Sequence, residues 1–211
     1  MGDFLKLDGK VMHYGVKFAY LMWIHVLTAV CCIPVFTVGA SFCAMHRVLL
    51  QIYKDEETAV TKTFFRAFFD NFRQATVLWV VFFTYFALLI LDLQFVKATE
   101  SVSMSVMQQI LPILLVAGLP ALSWIFVLQS RYHNSILGTM RLAFVVCISF
   151  PFRTIAMTVL MVSPVLLLAA FWQAVPFVTL LGFTVPGIIR ARLYSRVFDK
   201  LEGSDRKKAN M

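Results

Sequence analysis

The stretch from Lys62 to Phe95 decides the fold, and it reads KTFFRAFFDNFRQAT followed directly by VLWVVFFTYFALLILDLQF. At 100° per residue, five phenylalanines of the first part share one arc of a helix, and four polar residues share the opposite arc. An aromatic arc backed by a basic one is typical of a helix at a membrane surface, and the apolar run that follows is long enough to cross a bilayer. The sequence therefore predicts a surface helix over Thr58–Arg73 and a transmembrane helix over Ala75–Phe95. The two arcs consist of Phe64, Phe65, Phe68, Phe69 and Phe72, and of Lys62, Arg66, Asp70 and Arg73.

The whole chain has the composition of a membrane protein. Its 211 residues are 60% hydrophobic and 14% charged, whereas soluble domains average about 45–50% and about 25%. The mean hydropathy of +0.81 argues strongly against a soluble fold. The formal charge of +8 is compatible with nucleic-acid binding. However, the basic residues lie between apolar runs and near the C-terminus, which is the distribution that the positive-inside rule describes for membrane proteins. We predict no nucleic-acid partner, one membrane domain over residues 1–200 and a basic cytoplasmic tail over residues 201–211.

Six apolar segments predict an all-α integral membrane protein, a polytopic bundle of six transmembrane helices with amphipathic cytoplasmic surface helices. One segment, Ala40–Tyr53, has about 14 residues where a simple span needs about 20. It is either a short tilted helix that crosses, or a re-entrant or interfacial helix, in which case five crossings remain. A second amphipathic stretch is Ser135–Phe150. The other segments are Val16–Val38, Met107–Gln129, Thr154–Trp172 and Phe177–Ile189, in addition to Ala75–Phe95.

Polar residues and glycine mark the ends of these segments. We expect Thr37 and Ser41 to cap free backbone groups, and Gly39 to allow a sharp reversal of the chain after the first helix. Gln129 stands at the end of its segment, where it is expected to cap the helix or to meet lipid headgroups.

The placement of lysine and arginine predicts the orientation in the membrane. With the N-terminus in the cytoplasm, Lys97 is the only basic residue of a predicted outer segment, and the remaining loops on the inner side are basic. Cytoplasmic loops carry this excess of positive charge. Both termini are therefore expected in the cytoplasm, where the basic run Arg206–Lys208 would attract anionic lipid headgroups.

Residues 34–79 resemble the YesL-like family, a bacterial membrane domain of unknown function found mainly in Gram-positive organisms. The resemblance implies an integral protein of the bacterial cytoplasmic membrane with five or six helices, whose gene often lies beside genes for sugar ABC importers and glycoside hydrolases. It implies no catalytic or binding residues. Asp70 departs from the family pattern, which has a basic residue there. The matching phrases are Pro34–Ser41 (PVFTVGAS), the acidic break Asp55–Glu57, Phe64–Phe68 (FFRAF) and Asn71–Thr76 (NFRQAT).

Among the polar residues within predicted membrane segments, three are candidates for function: His25, Arg47 and Asp92. Arg47 either extends its side chain to the inner surface or faces the bundle, a cavity or another subunit, because a central arginine costs about 2.5–3.5 kcal/mol on insertion scales. His25 is either a proton relay or ligand, or a neutral histidine bonded to a neighbouring helix. Asp92 is a possible partner of Arg47, although it lies nearer the outer end of its helix.

No motif for catalysis or cofactor binding is present. The four cysteines form neither a CxxC pair nor a set with histidine, and the phosphate-binding and zinc-protease motifs are absent. We therefore predict no catalytic, cofactor-binding or metal-binding residue. The aromatic helix is a membrane anchor or a docking surface for a partner, and the residues of that candidate interface are Phe64, Phe65, Arg66, Phe68, Phe72 and Arg73.

The resemblance to the YesL-like family, together with the lack of catalytic motifs, implies a non-enzymatic accessory protein of carbohydrate uptake, bound to permease subunits of an ABC importer. The alternative is a small oligomeric transporter or channel, for which Pro112, Pro120 and Pro186 predict the broken helices that line a pathway. A membrane enzyme is the third hypothesis, and it requires His25, Arg47 and Asp92 to converge.

Overall fold

The computed structural model describes residues 4–54, 59–98, 102–132, 135–170, 182 and 184–209, and this part of the chain is all helical. The predicted all-α class is therefore confirmed for the described residues. A 3-10 turn at Val35–Thr37 separates the first two helices. The α-helices of the described ranges are α1 Phe4–Cys31, α2 Val38–Tyr53, α3 Val60–Ala98, α4 Val102–Gln129, α5 Ile136–Ser149, α6 Pro151–Ala170 and α7 Thr184–Ala209.

Helix α2 forms the centre of the bundle. Eleven of its 16 residues are buried, and it packs against α1, α3, α4 and α7. An interfacial helix would leave one whole face to lipid or water. Together with the preceding 3-10 turn, the segment Val35–Tyr53 is long and apolar enough to span. The burial of α2 argues against an interfacial helix for this segment, and its crossing of the membrane rather than a re-entrant path stays a prediction.

Gly39 brings α2 and α3 together. A Cβ atom at this position would clash with the backbone oxygen of Ala75 and would lie 2.8 Å from the Cβ atom of Trp79. Gly39 is therefore needed for close helix packing, and the expected role in reversing the chain is wrong because the residue lies inside α2. The reversal occurs before it, where the hydroxyl of Thr37 donates to the carbonyl oxygens of Cys31 and Pro34. Thr37 thus satisfies a carbonyl group at the end of α1, as expected for free backbone groups, but as the N-cap residue of α2 it makes no side-chain capping bond.

Helix α3 is continuous over 39 residues. At 1.5 Å per residue it is roughly 58 Å long, about twice the thickness of a hydrocarbon core. The prediction of a separate surface helix ending at Arg73 is wrong, because no break separates the aromatic segment from the apolar segment.

The phenylalanines of α3 divide between the protein core and the outside. Phe64 and Phe68 are buried in the main core, and Phe72 is half-buried against it. Phe65 and Phe69 are 37% and 70% exposed. The prediction that all five line one membrane-facing arc is therefore wrong for Phe64 and Phe68, which pack inside the protein.

Helices α4 to α7 complete the bundle around α2 and α3. Helix α4 continues through Pro112 and Pro120, and the indole of Trp124 donates to the hydroxyl of Thr154 on α6 at 3.0 Å. Ser135 caps α5 by accepting from the amide of Gly138. Between α5 and α6 the chain bends by 112°, and Pro151 begins α6 directly after the amphipathic stretch predicted over Ser135–Phe150.

Several long apolar helices indicate a membrane-spanning protein. By length and composition, the described residues contain three helices that can cross, and a fourth crossing if the bent α5–α6 pair forms one span. The count of six crossings stays a prediction, since the segment predicted from Phe177 begins outside the described residues. The acidic break at Asp55–Glu57 also lies outside them, whereas residues 201–209 of the predicted tail continue α7.

Candidate functional site: a basic crevice between α2, α3 and α4

A polar crevice opens where the C-terminal ends of α2 and α4 meet the N-terminal end of α3. It consists of two adjoining cavities of about 410 Å³ and 370 Å³, and both are lined by Arg47 and Gln51. We call it the basic crevice, because five of its lining residues are cations and one is an acid. The cations are Arg47, Lys54, Lys62, Arg66 and Arg131, and the acid is Asp70.

Arg47 reaches the crevice from the buried helix α2. Its side chain is half-buried, and its Nη1 atom donates to the carbonyl oxygen of Ser130 at 3.2 Å. The interaction satisfies one of the carbonyl groups left open at the end of α4. Beside it, the buried Oε1 atom of Gln51 accepts no hydrogen bond from the described residues. Arg47 therefore lines a cavity, as one of the two alternatives predicted. That its side chain extends to the inner membrane surface stays a prediction.

The crevice keeps a positive charge. Asp70 lies 3.8 Å from Arg66, but both side chains are more than half exposed, and such surface pairs contribute about 0–1 kcal/mol. Arg47, Lys54 and Arg131 stand near helix C-termini, whose dipoles favour cations. Lys62 and Arg66 stand in the first two turns of α3, where the dipole disfavours them. Among the lining residues that the structure describes, five cations stand against one carboxylate, and this balance suits an anion.

The three predicted intramembrane polar residues do not converge. Asp92 is exposed near the C-terminal end of α3, roughly 45 Å along the helix from Lys62 at 1.5 Å per residue. His25 is buried in α1. Arg47 lines the crevice at the other end of the bundle from Asp92. The constellation that the enzyme hypothesis required is therefore not formed by these residues.

A buried hydrogen-bond network joins α3, α4 and α5. The Nε2 atom of Gln129 donates to Asn71 Oδ1 at 3.3 Å and to Gln74 Oε1 at 2.6 Å, and the hydroxyl of Thr139 donates to Gln129 Oε1 at 3.0 Å. The expectation that Gln129 caps a helix or meets headgroups is wrong. One signal was available, because Asn71 falls on the same arc of α3 as the buried Phe64 and Phe68.

Arg190 is buried, although it belongs to a stretch of α7 that also carries the exposed cations Arg192 and Arg196. Only 5% of it is exposed, and its Nη2 atom donates to the carbonyl oxygen of Ser123 at 3.1 Å. Tyr194 lies one turn further along α7 and donates to the carbonyl oxygen of His46 at 3.1 Å. Within the described residues, Arg190 Nε and His46 Nδ1 have no hydrogen-bond partner.

Helical periodicity could have separated Arg190 from its basic neighbours. Arg190, Ala191, Tyr194, Val197 and Phe198 are buried and recur at the spacing of one helix face. Arg192 and Arg196 fall outside that face and are exposed. No group of three His, Cys, Asp or Glu side chains that could hold a metal ion occurs in the part of the chain that the structure describes.

Comparison with known proteins gives one similarity. Residues 18–93, which are 76 of the 211 residues, match the model of a family described as "Protein of unknown function, DUF624". The search of curated proteins and the search of solved structures gave no match. The matched region extends from α1 through most of α3, and it contains all the cations of the basic crevice except Arg131. The similarity thus covers the centre of the bundle and carries no activity with it.

Proposed function

We propose that this chain is a multi-pass protein of the bacterial cytoplasmic membrane that has no catalytic site and serves as an accessory component of carbohydrate uptake. Its partners would be the permease subunits of a sugar ABC importer and a bilayer with anionic headgroups. The match to a family of unknown function over residues 18–93 is compatible with this role. The narrower YesL-like resemblance of residues 34–79 supplies the link to sugar import.

The observation that carries the proposal is the exposed aromatic pair on α3. The rings of Phe65 and Phe69 stack with their centroids 6.4 Å apart, and both lie outside the core. Arg66 stands between them in sequence and is also exposed. Aromatic residues and arginine are the types that contribute most to protein interfaces. Since α3 is about twice as long as a bilayer core is thick, this end of the helix is free to contact a partner.

The proposed orientation places the basic crevice on the cytoplasmic side. Lys54, Lys62 and Arg131 meet at this end of the bundle, whereas Asp92 lies near the other end of α3. Positive residues concentrate on the cytoplasmic side of membrane proteins. Both termini would then lie in the cytoplasm.

Co-purification from native membranes tests the accessory role. We expect the tagged full-length protein to bring down importer permease subunits, and the double variant Phe65→Ser/Phe69→Ser to lose them while reaching the membrane at the normal level. The matched control is Phe144→Ser/Phe152→Ser, which changes two exposed phenylalanines on α5 and α6. Failure of the unmodified protein to recover any permease subunit would remove the proposal. If the Phe65/Phe69 variant failed to reach the membrane while the control variant reached it normally, the pair would instead be a membrane anchor.

A second candidate function is transport by the chain itself, and buried Arg190 favours it. A charged residue inside a membrane bundle is costly and commonly marks a substrate or ion pathway. Arg190 pairs with a backbone carbonyl oxygen, and its described contacts contain no carboxylate. Flux of an anion through reconstituted protein, abolished by Arg190→Met, would support transport over the accessory role. Proteoliposomes without flux would count against it.

A further inference from the structure

We propose that the basic crevice binds the phosphate group of a phosphate ester whose other half bears hydroxyl groups. The glycerol headgroup of an anionic phospholipid and a soluble sugar phosphate share this chemistry. The inference does not depend on the link with carbohydrate uptake, so each can fail without the other.

The first argument is the convergence of cations from three separate elements. Arg47 lies on α2 and Lys54 directly follows it, Lys62 and Arg66 lie in the first two turns of α3, and Arg131 follows α4. Like charges gathered around one cavity repel one another unless an anion lies between them. Arginine binds phosphate oxygens through two parallel hydrogen bonds, and lysine adds a point charge. A group with three or four oxygens can use this arrangement more fully than a single carboxylate.

Helix dipoles do not account for all five cations. They explain cations at the C-terminal ends of α2 and α4, including the bond from Arg47 to the Ser130 carbonyl. Lys62 and Arg66 lie at the N-terminal end of α3, where backbone amides already favour an anion. Cations beside a helix N-terminus add to the attraction that the backbone amides already exert on a negative group.

The volume of the crevice sets the size of the ligand. Its larger cavity has about 410 Å³, which is in the range of sites for small organic ligands, about 300–1,000 Å³. A bare phosphate would fill a small part of it. The remaining wall carries uncharged polar groups, among them Gln51 and Thr63, and Gln51 has a buried side-chain oxygen without a described partner. Such groups recognise hydroxyls, so the ester half is polar.

Binding measurements on the purified full-length chain test the proposal in two arms. In neutral detergent, glycerol 3-phosphate is titrated at constant ionic strength, with glycerol and sodium sulfate as comparison solutes. In nanodiscs and by native mass spectrometry, phosphatidylglycerol is compared with phosphatidylcholine. We expect saturable binding of the phosphate ester in at least one arm. Binding in the first arm identifies a soluble ester as the source, and binding confined to the second identifies a lipid headgroup.

The decisive variant is Lys62→Gln/Arg66→Gln, which changes two exposed side chains and should leave the fold intact. We expect affinity to fall at least about tenfold, because two charge-assisted hydrogen bonds are lost. The matched control Arg141→Gln/Arg192→Gln removes the same charge at exposed positions outside the crevice, and should change affinity less than about twofold because such distant charges are screened. Arg66→Lys, which keeps the charge, should retain most of the binding.

Three results would overturn the inference. The first is an equal loss of affinity in the crevice variant and the control variant, which would indicate general charge attraction. The second is equal binding of phosphatidylglycerol and phosphatidylcholine together with no binding of glycerol 3-phosphate. The third is binding that appears only after Asp55, Glu56 and Glu57 are changed to amides, because the chain's own acidic segment would then be the occupant.

Discussion

Two arginines donate to carbonyl oxygens of the same stretch of chain at the end of α4, yet their surroundings are opposite. Arg190 bonds the oxygen of Ser123 from inside the bundle, and Arg47 bonds that of Ser130 at the edge of the basic crevice. Arg190 is enclosed beside Tyr194 and His46, whereas Arg47 shares an open cavity with other cations. The comparison shows that bonds to the same kind of acceptor do not imply the same role. The closed site holds helices together, and the open site has room for a ligand.

The same division between closed and open positions occurs within α3 and gives the largest expected effect. Phe68 is buried, and its neighbour Phe69 is 70% exposed. We expect Phe68→Ser to lower the free energy of unfolding by about 3–5 kcal/mol, since it leaves a cavity in the core. Phe69→Ser should change it by about 0.5 kcal/mol or less. Thermal unfolding in detergent, followed by circular dichroism, measures both. If both variants lost the same free energy of unfolding, the distinction between a buried and an exposed face of α3 would be wrong.

Replacement of Arg190 tests what its burial contributes. Arg190→Ala should destabilise the protein by about 2–4 kcal/mol, because it removes a large side chain from a packed site. Arg190→Met keeps most of the volume and removes the buried charge, and such replacements are often neutral or stabilising. We therefore expect the methionine variant to unfold at or above the temperature of the unmodified protein. A loss as large as that of the alanine variant would mean that the bond to Ser123 dominates over packing.

The network around Gln129 is the closed polar site expected to have the next largest effect. Gln129→Leu leaves Asn71, Gln74 and Thr139 without their shared partner, which costs about 1–3 kcal/mol by the usual penalty for unsatisfied buried groups. Gln109→Leu on the same helix is the control, because Gln109 is exposed. If both variants had the same midpoint of thermal unfolding, the network would add nothing beyond its packing.

Among the buried and half-buried positions, the smallest effect on stability is expected at Arg47. Arg47→Gln removes one hydrogen bond at a half-buried position, so we expect a loss of about 1 kcal/mol or less. Affinity for glycerol 3-phosphate or phosphatidylglycerol should fall about tenfold in the same variant, since a charge-assisted contact disappears. A large loss of stability with unchanged affinity would reverse the comparison and make Arg47 the structural member of the pair.

Periodicity and composition predict the class of this protein well, because burial in lipid and burial in protein impose the same apolar pattern. For that same reason they cannot separate the two environments. Phe64 and Phe68 look like membrane-facing residues in sequence and pack instead in the core with α2. The residues around Arg73 contain no signal that ends a helix, because such polar residues occur inside helices as readily as at their ends. The helix α3 therefore continues past the predicted boundary.

The polar sites depend on contacts that no local pattern contains. Gln129 meets residues 58 and 55 positions earlier in the chain, and Arg47 meets Ser130 across 83 positions. The sequence identified Arg47 as a candidate functional residue, with its side chain either at the inner membrane surface or facing the bundle. It did not identify the companions of Arg47 in the crevice, because they come from α3 and from the end of α4. Arg190 could have been singled out, since it shares a helix face with Tyr194 and Phe198.

Because α3 is unbroken, an insertion or deletion within it shifts and rotates all residues on one side of the change relative to those on the other. Each added residue would advance the crevice by about 1.5 Å along the helix axis and rotate it by about 100°, so height and direction cannot change separately. A single insertion between Thr76 and Trp79 would turn Lys62 and Arg66 away from Arg47. Seven inserted residues, close to two full turns, would restore the direction but displace the site by about 10 Å. Tyr85 of α3 packs closely against Gly118 of α4. Natural insertions and deletions in this protein should therefore be found outside the part of α3 that lies between the crevice and Tyr85.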